Sequence, residues 1–142
     1  MLDLASFLPY LINRVGARLA EAFGKELAAY AVTLPMWRVL AALQGGGSRR
    51  VGLLAELTAI EVSTLSRLLV AMERRGMVER RRSREDARAV LIRLSDAGAR
   101  LTRRLIPRAL HYEEVALKSF ARDDAKALKA MLKRVYENIG AL

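Results

Sequence analysis

The sequence predicts a mainly α-helical fold with a small β hairpin. Apolar residues recur at intervals of three or four through most of the 142 residues, which is the spacing of helices that bury one face. Residues 77–94 differ, because they alternate weakly in polarity around a turn-like stretch at 83–86, as the two strands of a hairpin do. Before the hairpin, a small residue, a turn residue and an apolar residue have the spacing of a helix-turn-helix: Ala55, Ala59 and Leu65. These observations predict a winged helix-turn-helix domain whose amino- and carboxy-terminal helices form a dimerisation bundle.

Two helices are expected before the helix-turn-helix. An apolar stripe that begins at Leu4 marks a first long helix, which ends near Tyr30. Thr33 is a typical N-cap, and Pro35 lies in the first turn of a second helix that runs to Leu43. Three consecutive glycines then end this helix.

The helix-turn-helix itself spans two short helices. The first covers residues 51–57, and residues 49–51 before it favour a short additional strand in the hairpin sheet. The second, the recognition helix, is expected to bury Leu65, Leu68, Leu69 and Met72. Its exposed start carries Ser63, Thr64, Ser66 and Arg67. Hydroxyl groups and an arginine suit contacts with base edges in the major groove, although this helix alone is also consistent with an ordinary amphipathic helix.

The hairpin is strongly basic. Residues 74–88 include seven arginines and three acidic residues. A planar guanidinium group binds phosphate through paired hydrogen bonds and fits a narrow minor groove. A DNA-binding wing therefore explains the hairpin better than the alternative, a solvated charged hairpin. Arg80 and Arg82 are expected to hold the backbone of any duplex alike.

Two further helices follow the hairpin. Ser95 is expected to cap the first of them, and Pro107 is expected to kink or break it, because proline lacks a backbone donor. The last helix begins near Asp123, and its apolar stripe consists of Leu128, Leu132, Val135 and Ile139. A twofold dimer would bury this stripe and that of the first helix. The alternative is a monomeric helical bundle.

Four sequence segments form a specific pattern across this region. They are STLSRL at residues 63–68, MERRGMV at 72–78, DAR at 86–88 and IRLSDAG at 92–98. Together they resemble the DNA-binding core of the multiple-antibiotic-resistance regulator (MarR) family of winged helix-turn-helix transcription factors. The resemblance extends over nearly the whole chain, in its size and in the order of its helices.

The resemblance assigns roles to residues of the wing. It implies that Arg88 enters the minor groove, that Asp86 holds Arg88 by a salt bridge, and that Arg84 at the hairpin tip shares the groove contact. The sequence departs from the family pattern at two positions. Ala59 stands where glycine is usual, and Glu61 stands where a short capping residue is expected. A carboxylate at Glu61 complements the helix dipole but repels a bound phosphate.

Composition agrees with a nucleic-acid partner. The net charge is +10 and the sequence pI is about 10.8, which points to a polyanion. The hydrophobic fraction of 53% suggests a buried subunit interface. By length, residues 1–142 form a single domain. Within it we expect a DNA-binding lobe at 33–98 and dimerisation helices at 1–30 and 99–142.

Other classes of function find little support. The chain has no cysteine and one histidine, so we expect no metal site and no cofactor. No apolar run reaches the length of a membrane span, and we expect a cytosolic protein without membrane contact. No catalytic constellation is present, and the sequence predicts no enzyme.

The resemblance also implies a small-molecule effector. Relatives of this kind often bind aromatic or phenolic ligands in a cleft between the dimer helices and the DNA-binding lobe. Candidate ligand contacts are the aromatic, thioether, imidazole and guanidinium groups on the helices that would line such a cleft: Tyr10, Arg14, Met36, Trp37, Arg38, His111 and Tyr112. Each could equally serve as core or interface filler.

The sequence thus predicts a regulator that binds specific double-stranded DNA. We expect a ligand-responsive repressor that acts as a homodimer on a pseudo-palindromic operator. The alternatives are a DNA-architectural protein with little sequence preference and a helical interaction module for an acidic protein.

Overall fold

The computed structural model describes residues Met1–Leu142 and confirms the predicted fold class, six helices with a three-stranded sheet. The helices are α1 (Leu8–Ala28), α2 (Leu34–Leu43), α3 (Val51–Thr58), α4 (Val62–Arg74), α5 (Asp96–Ala116) and α6 (Arg122–Gly140). The strands are β1 (Arg49–Arg50), β2 (Val78–Arg82) and β3 (Val90–Leu94). The chain forms two compact units, Met1–Ala109 and Leu110–Leu142. No helix combines the length and the apolar character needed to cross a membrane.

The core of the first unit is made of aliphatic side chains from α1 to α5 and from β3. Its fully buried members are Leu27, Val39, Leu40, Leu43, Leu54, Leu65, Leu69, Met72, Ile92 and Leu105. Thr33 caps α2 as predicted, because its hydroxyl accepts a hydrogen bond from the Met36 amide. The first helix is shorter than predicted: Leu4–Ser6 forms a separate 3-10 turn, and α1 begins at Leu8 with proline in its first turn. Proline fits there because that backbone donor has no partner within the helix.

The turn between α3 and α4 has the geometry that the sequence predicts. Ala55 and Leu65 are buried on either side of it. Ala59 ends α3 with φ 55° and ψ 34°, in the left-handed region that glycine adopts more easily. Thr58, which is also buried, donates its hydroxyl proton to the Leu54 carbonyl oxygen at 2.6 Å. No buried polar side chain is left without a partner here.

The sheet has the strand order β1-β3-β2 and is antiparallel throughout. In its register Arg80 lies opposite Ile92, and Arg49 lies opposite Ile92 on the other side. The short strand predicted from Arg49 and Arg50 is therefore confirmed. Because β1 runs directly into α3, the sheet is joined to the helix-turn-helix at its edge.

The start of α5 is hydrogen-bonded to the start of the wing. Ser95 caps α5 as predicted, since its hydroxyl accepts from the Gly98 amide at 2.9 Å. The same hydroxyl donates to the Gly76 carbonyl at 2.5 Å, and the Ser95 amide donates to the Met77 carbonyl at 3.1 Å. A Cβ atom at Gly98 would overlap the Met77 carbonyl oxygen. The glycine of the IRLSDAG segment is therefore required by a close backbone approach.

The predicted break at Pro107 does not occur. Helix α5 is continuous from Asp96 to Ala116, with the proline inside it. The guanidinium groups of Arg104 and Arg108, on either side of the proline, both stack on the Tyr30 ring, at 5.3 and 5.5 Å from its centroid. Arg108 also forms an ion pair with Glu26, which raises the pKa of its guanidinium group. These contacts with Glu26 at the end of α1 and with Tyr30 just after it hold both sides of the proline in one helix.

The second unit consists of the end of α5 and helix α6. Lys129 of α6 forms an ion pair with Glu113 of α5 at 2.7 Å. Helix α6 begins at Arg122, one residue before the predicted start, and none of its residues is buried. The lobe and dimerisation boundaries predicted from the sequence divide the chain by function, and they stay predictions.

Candidate nucleic-acid interface

The exposed side of α4 carries the predicted polar residues. Ser63, Thr64 and Arg67 are exposed, and Ser66 is half-buried. The opposite side of the helix is anchored in the core by Leu65, Leu69 and Met72. The buried side of α4 is thus held against the core, and the exposed side of its first turns is free to contact a ligand.

Glu61 organises the hydroxyl groups at this helix start. The Ser63 hydroxyl donates to one carboxylate oxygen of Glu61 at 2.5 Å, and the Thr64 hydroxyl donates to the other at 3.3 Å. The bond from Ser63 is the main reason that the pKa of the Glu61 carboxyl lies below its ordinary value. The sequence flagged Glu61 as a departure but did not predict this network. The serine and threonine two and three residues after the glutamate were the available signal.

A recess of about 460 Å³ lies between the helix-turn-helix and the wing. Its lining brings together Ser66 of α4, Arg80 of β2, and Arg88 before β3. Arg50, which sequence reasoning did not include among the site residues, lines the same recess together with the first residues of α3. Its position in β1 was the signal that could have found it, because that strand was expected to join the wing sheet.

Most wing arginines are free to bind an anion. Only two of the seven in residues 74–88 have a partner. Arg75 donates to the Ala31 carbonyl, and Arg80 lies 4.0 Å from Glu73. The others make no side-chain hydrogen bond or ion pair: Arg74, Arg81, Arg82, Arg84 and Arg88. A second recess of about 330 Å³ is lined by Arg81, Arg82 and Arg84 on the wing and by Arg50. Of the unpaired arginines, Arg88 shares the first recess with Ser66 of α4, and three others line the second recess.

Asp86 meets Arg88 in a different way from the one that the resemblance implies. Its carboxylate accepts a hydrogen bond from the Arg88 backbone amide at 3.0 Å, and no salt bridge to the guanidinium group is formed. The Asp86 carbonyl accepts from the Ala89 amide at 3.0 Å, while the Ser83 hydroxyl accepts from the Glu85 amide at 3.2 Å. Asp86 thus shapes the wing loop around residue 88 and leaves the Arg88 guanidinium free.

The candidate effector contacts of the first unit make packing contacts of their own. Met36 is buried, with its sulfur 3.5 Å from Arg75, and Trp37 is half-buried with its ring edge-on to Phe23 at 5.7 Å. The Arg14 guanidinium lies 5.9 Å from the centre of the Tyr10 ring.

The remaining candidates are more open. Arg38 is exposed. In the second unit His111 is exposed and packs edge-on against Tyr112 at 5.8 Å. A cavity of about 610 Å³ in the first unit lies elsewhere, against Arg93, Asp96 and Arg103, and none of the seven candidates lines it.

Comparison with known proteins finds similarity to one family. Residues 32–89, from α2 into the wing, match the model of the MarR family. The HTH-type transcriptional repressor IacR of Pseudomonas putida is 23% identical over 133 residues, which cover 94% of this chain and 80% of that protein. The crystal structure of a MarR family transcriptional regulator from Silicibacter pomeroyi is similar, with 28% sequence identity and a TM-score of 0.85. The match covers 96% of this chain and 92% of that protein. These similarities support a winged helix-turn-helix regulator of the MarR type.

The proteins that this chain resembles are transcriptional regulators, which supports the predicted DNA-binding transcriptional regulator and not an enzyme. A further similar structure is that of the PcaV transcriptional regulator from Streptomyces coelicolor in complex with its natural ligand. It is 26% identical, with a TM-score of 0.81, and the match covers 96% of both chains.

Proposed function

We propose that this MarR-type regulator is a homodimeric repressor of a pseudo-palindromic operator, released by a small aromatic or phenolic effector. One observation carries the DNA-binding part of the proposal. The exposed start of α4 lies beside a wing whose arginines are mostly unpaired, and the recess between them is lined by Arg50, Arg80 and Arg88. On such a surface the recess can hold a backbone phosphate, while α4 contacts one groove and the wing contacts the next.

Each element then has its own task on DNA. Helix α4 enters the major groove, where Ser63, Thr64, Ser66 and Arg67 meet base edges. The recess accepts a backbone phosphate, because Arg50 and Arg80 line it. The wing reaches the adjacent minor groove through Arg84 and Arg88, whose side chains have no partner within the chain.

Dimerisation is supported by apolar surface that the single chain leaves uncovered. On α1 the exposed apolar residues include Leu8, Leu11, Ile12, Val15 and Leu19. On α6 they include Met131, Leu132, Tyr136 and Ile139. Apolar faces of this extent are typical of protein interfaces, and a second copy of the chain would cover them. A twofold dimer would present two α4 helices to successive major grooves about 34 Å apart, which requires a pseudo-palindromic site.

Repression and effector release are supported by relatives. IacR is named a repressor, and PcaV was crystallised with its natural ligand. For this chain we keep the seven candidate effector contacts as hypotheses. A DNA target also requires access to the chromosome, which supports the cytoplasmic location expected from the sequence.

A competition experiment tests the proposal. Duplexes bound by the protein are selected from fragments of the source genome, and the best is titrated against random duplex at about 150 mM salt. A regulator prefers its operator by roughly 10³ or more. A DNA-architectural protein would bind both duplexes alike, and that result would overturn the proposal.

A further inference from the structure

The network at the start of α4 determines which hydrogen-bonding groups Ser63 and Thr64 can offer. Each hydroxyl carries one proton, and an ionised carboxylate can only accept hydrogen bonds. Both protons are donated to Glu61, at 2.5 and 3.3 Å. The two hydroxyl oxygens therefore face an incoming ligand as acceptors only.

Both carboxylate oxygens of Glu61 accept hydrogen bonds from these hydroxyls. It occupies the N-cap position of α4, yet its side chain makes no capping bond to the helix backbone. The hydrogen bonds from Ser63 and Thr64 lower the pKa of the Glu61 carboxyl, against a smaller opposing effect of burial. The group is thus ionised at neutral pH.

We propose that Glu61 is a positioning residue that determines base specificity. It makes the start of α4 select bases that present an amino group in the major groove. Adenine N6 and cytosine N4 donate there, whereas guanine and thymine present acceptors at the matching positions. An acceptor-only surface pairs with the first two bases and leaves the other two unpaired. This inference rests on the proposed function, in which α4 enters the major groove.

The charge of Glu61 has a second consequence. A helix N-terminus ordinarily attracts phosphate, but a carboxylate at this position repels it. Anchoring on the DNA backbone is then left to the arginines. Loss of the charge at Glu61 should consequently strengthen binding to random duplex while it weakens discrimination between bases. A merely structural role would not produce these two opposite changes.

The first experiment compares selected sequences. Duplexes are selected from a random pool by the parent protein, by Glu61→Gln, by the double variant Ser63→Ala with Thr64→Val, and by Glu56→Gln. Glu56 is an exposed glutamate of α3 whose carboxylate makes no hydrogen bond or ion pair, so it controls for the loss of one charge. The double variant identifies the base positions that the two hydroxyls read. At those positions we expect a preference for one base pair in one orientation for the parent and for Glu56→Gln, and no preference among the base pairs for Glu61→Gln.

The second experiment removes the amino group itself. Where the parent selects adenine, replacement by purine, which lacks the N6 amino group, should weaken parent binding about tenfold. The same replacement should leave binding by the double variant unchanged. Glu61→Asp, which keeps the carboxylate, should retain part of the preference. Melting curves establish that every variant is folded.

The results that would contradict the role of Glu61 differ from the result that would also contradict the operator model. A parent that binds equally well when the amino group is removed, or a Glu61→Gln variant that keeps the parent preference, overturns the role of Glu61 and leaves the operator model intact. A parent that selects no sequence at all overturns both.

Discussion

Asp86 shows how a single side chain can act on DNA binding without touching DNA. Its carboxylate holds the Arg88 backbone amide at 3.0 Å, so that the loop geometry, and not a salt bridge, positions the arginine. An asparagine has the same acceptor oxygen and could make the same bond. The identity of the atom that holds Arg88 can therefore be tested by substitution.

We predict that Arg88→Ala weakens operator binding about tenfold or more at about 150 mM salt, with fold and dimer intact. Asp86→Ala should weaken binding less, and Asp86→Asn should bind nearly as the parent does. Titration by fluorescence anisotropy measures all three. If Arg88→Ala binds with the affinity of the parent, the minor-groove contact is excluded. If Asp86→Asn loses as much affinity as Asp86→Ala, the charge of Asp86 is needed, and a salt bridge to Arg88 explains its role.

Ala59 adopts a backbone conformation that is less favourable for alanine than for glycine. Its φ of 55° lies in the left-handed region, which costs an alanine about 1–2 kcal/mol. Ala59→Gly relieves this strain. The greater conformational freedom of glycine in the unfolded chain offsets part of the resulting increase in the free energy of unfolding. We predict a net stabilisation of about 0.5–1 kcal/mol and a Tm higher by roughly 2–3 °C. The control is Ala17→Gly inside α1, which should lower the Tm. If both variants lower it, strain at Ala59 is not significant.

At the scale of elements, the junction of β2 and α5 ties the wing to the helix that follows it. Gly98→Ala would force a Cβ atom onto the Met77 carbonyl, and backbone cannot move aside as a flexible side chain can. We predict a loss of about 2 kcal/mol or more and a Tm lower by roughly 5 °C or more. Gly24→Ala in α1 is the matched control, because an added Cβ there meets no atom within 4 Å. Equal melting of the two variants would show that the junction yields easily.

Helix α4 and the wing should differ in what they contribute. Arg67→Ala is expected to change which bases are preferred, because Arg67 lies on the exposed side of the recognition helix. Arg82→Ala should weaken all duplexes alike and reduce the salt dependence of binding by about one counterion. Titrations on operator and random duplex at several salt concentrations measure both effects. Equal losses on the two duplexes for Arg67→Ala would remove it from the specificity set.

The elements were predictable where local signals are strong. The cap at Thr33, the turn at Ala59 and the hairpin after Gly76 each depend on a few neighbouring residues, and the sequence predicted them. The continuity of α5 through Pro107 was missed because it depends on Tyr30 and Glu26, which lie far away in the sequence. Arg50 was missed for a related reason, because pairing of β1 with β3 brings it to the wing from a distant part of the sequence. The network of Glu61 is local, and it was missed because residue type alone does not determine which hydroxyl groups a carboxylate binds.

At the scale of the whole molecule, the apolar stripe of α6 should determine whether the protein binds its operator. Leu132 is 44% exposed in the single chain, and burial in a dimer would cover it. Leu132→Asp would place an unpaired carboxylate in that contact, at a cost of several kcal/mol. We predict that this variant dissociates and loses operator binding, whereas Leu132→Met retains both. Size-exclusion chromatography with a binding titration checks this. A dimeric Leu132→Asp that binds normally would remove α6 from the interface.

In the proposed function, two copies of the chain act together on one operator. Sedimentation equilibrium of the parent protein, alone and with the selected operator duplex, measures this stoichiometry. We predict a dimer at micromolar concentration and a complex of two chains per full operator, with much weaker binding to a duplex that carries one half-site. A monomer at micromolar concentration that still binds the full operator tightly as one chain would contradict it.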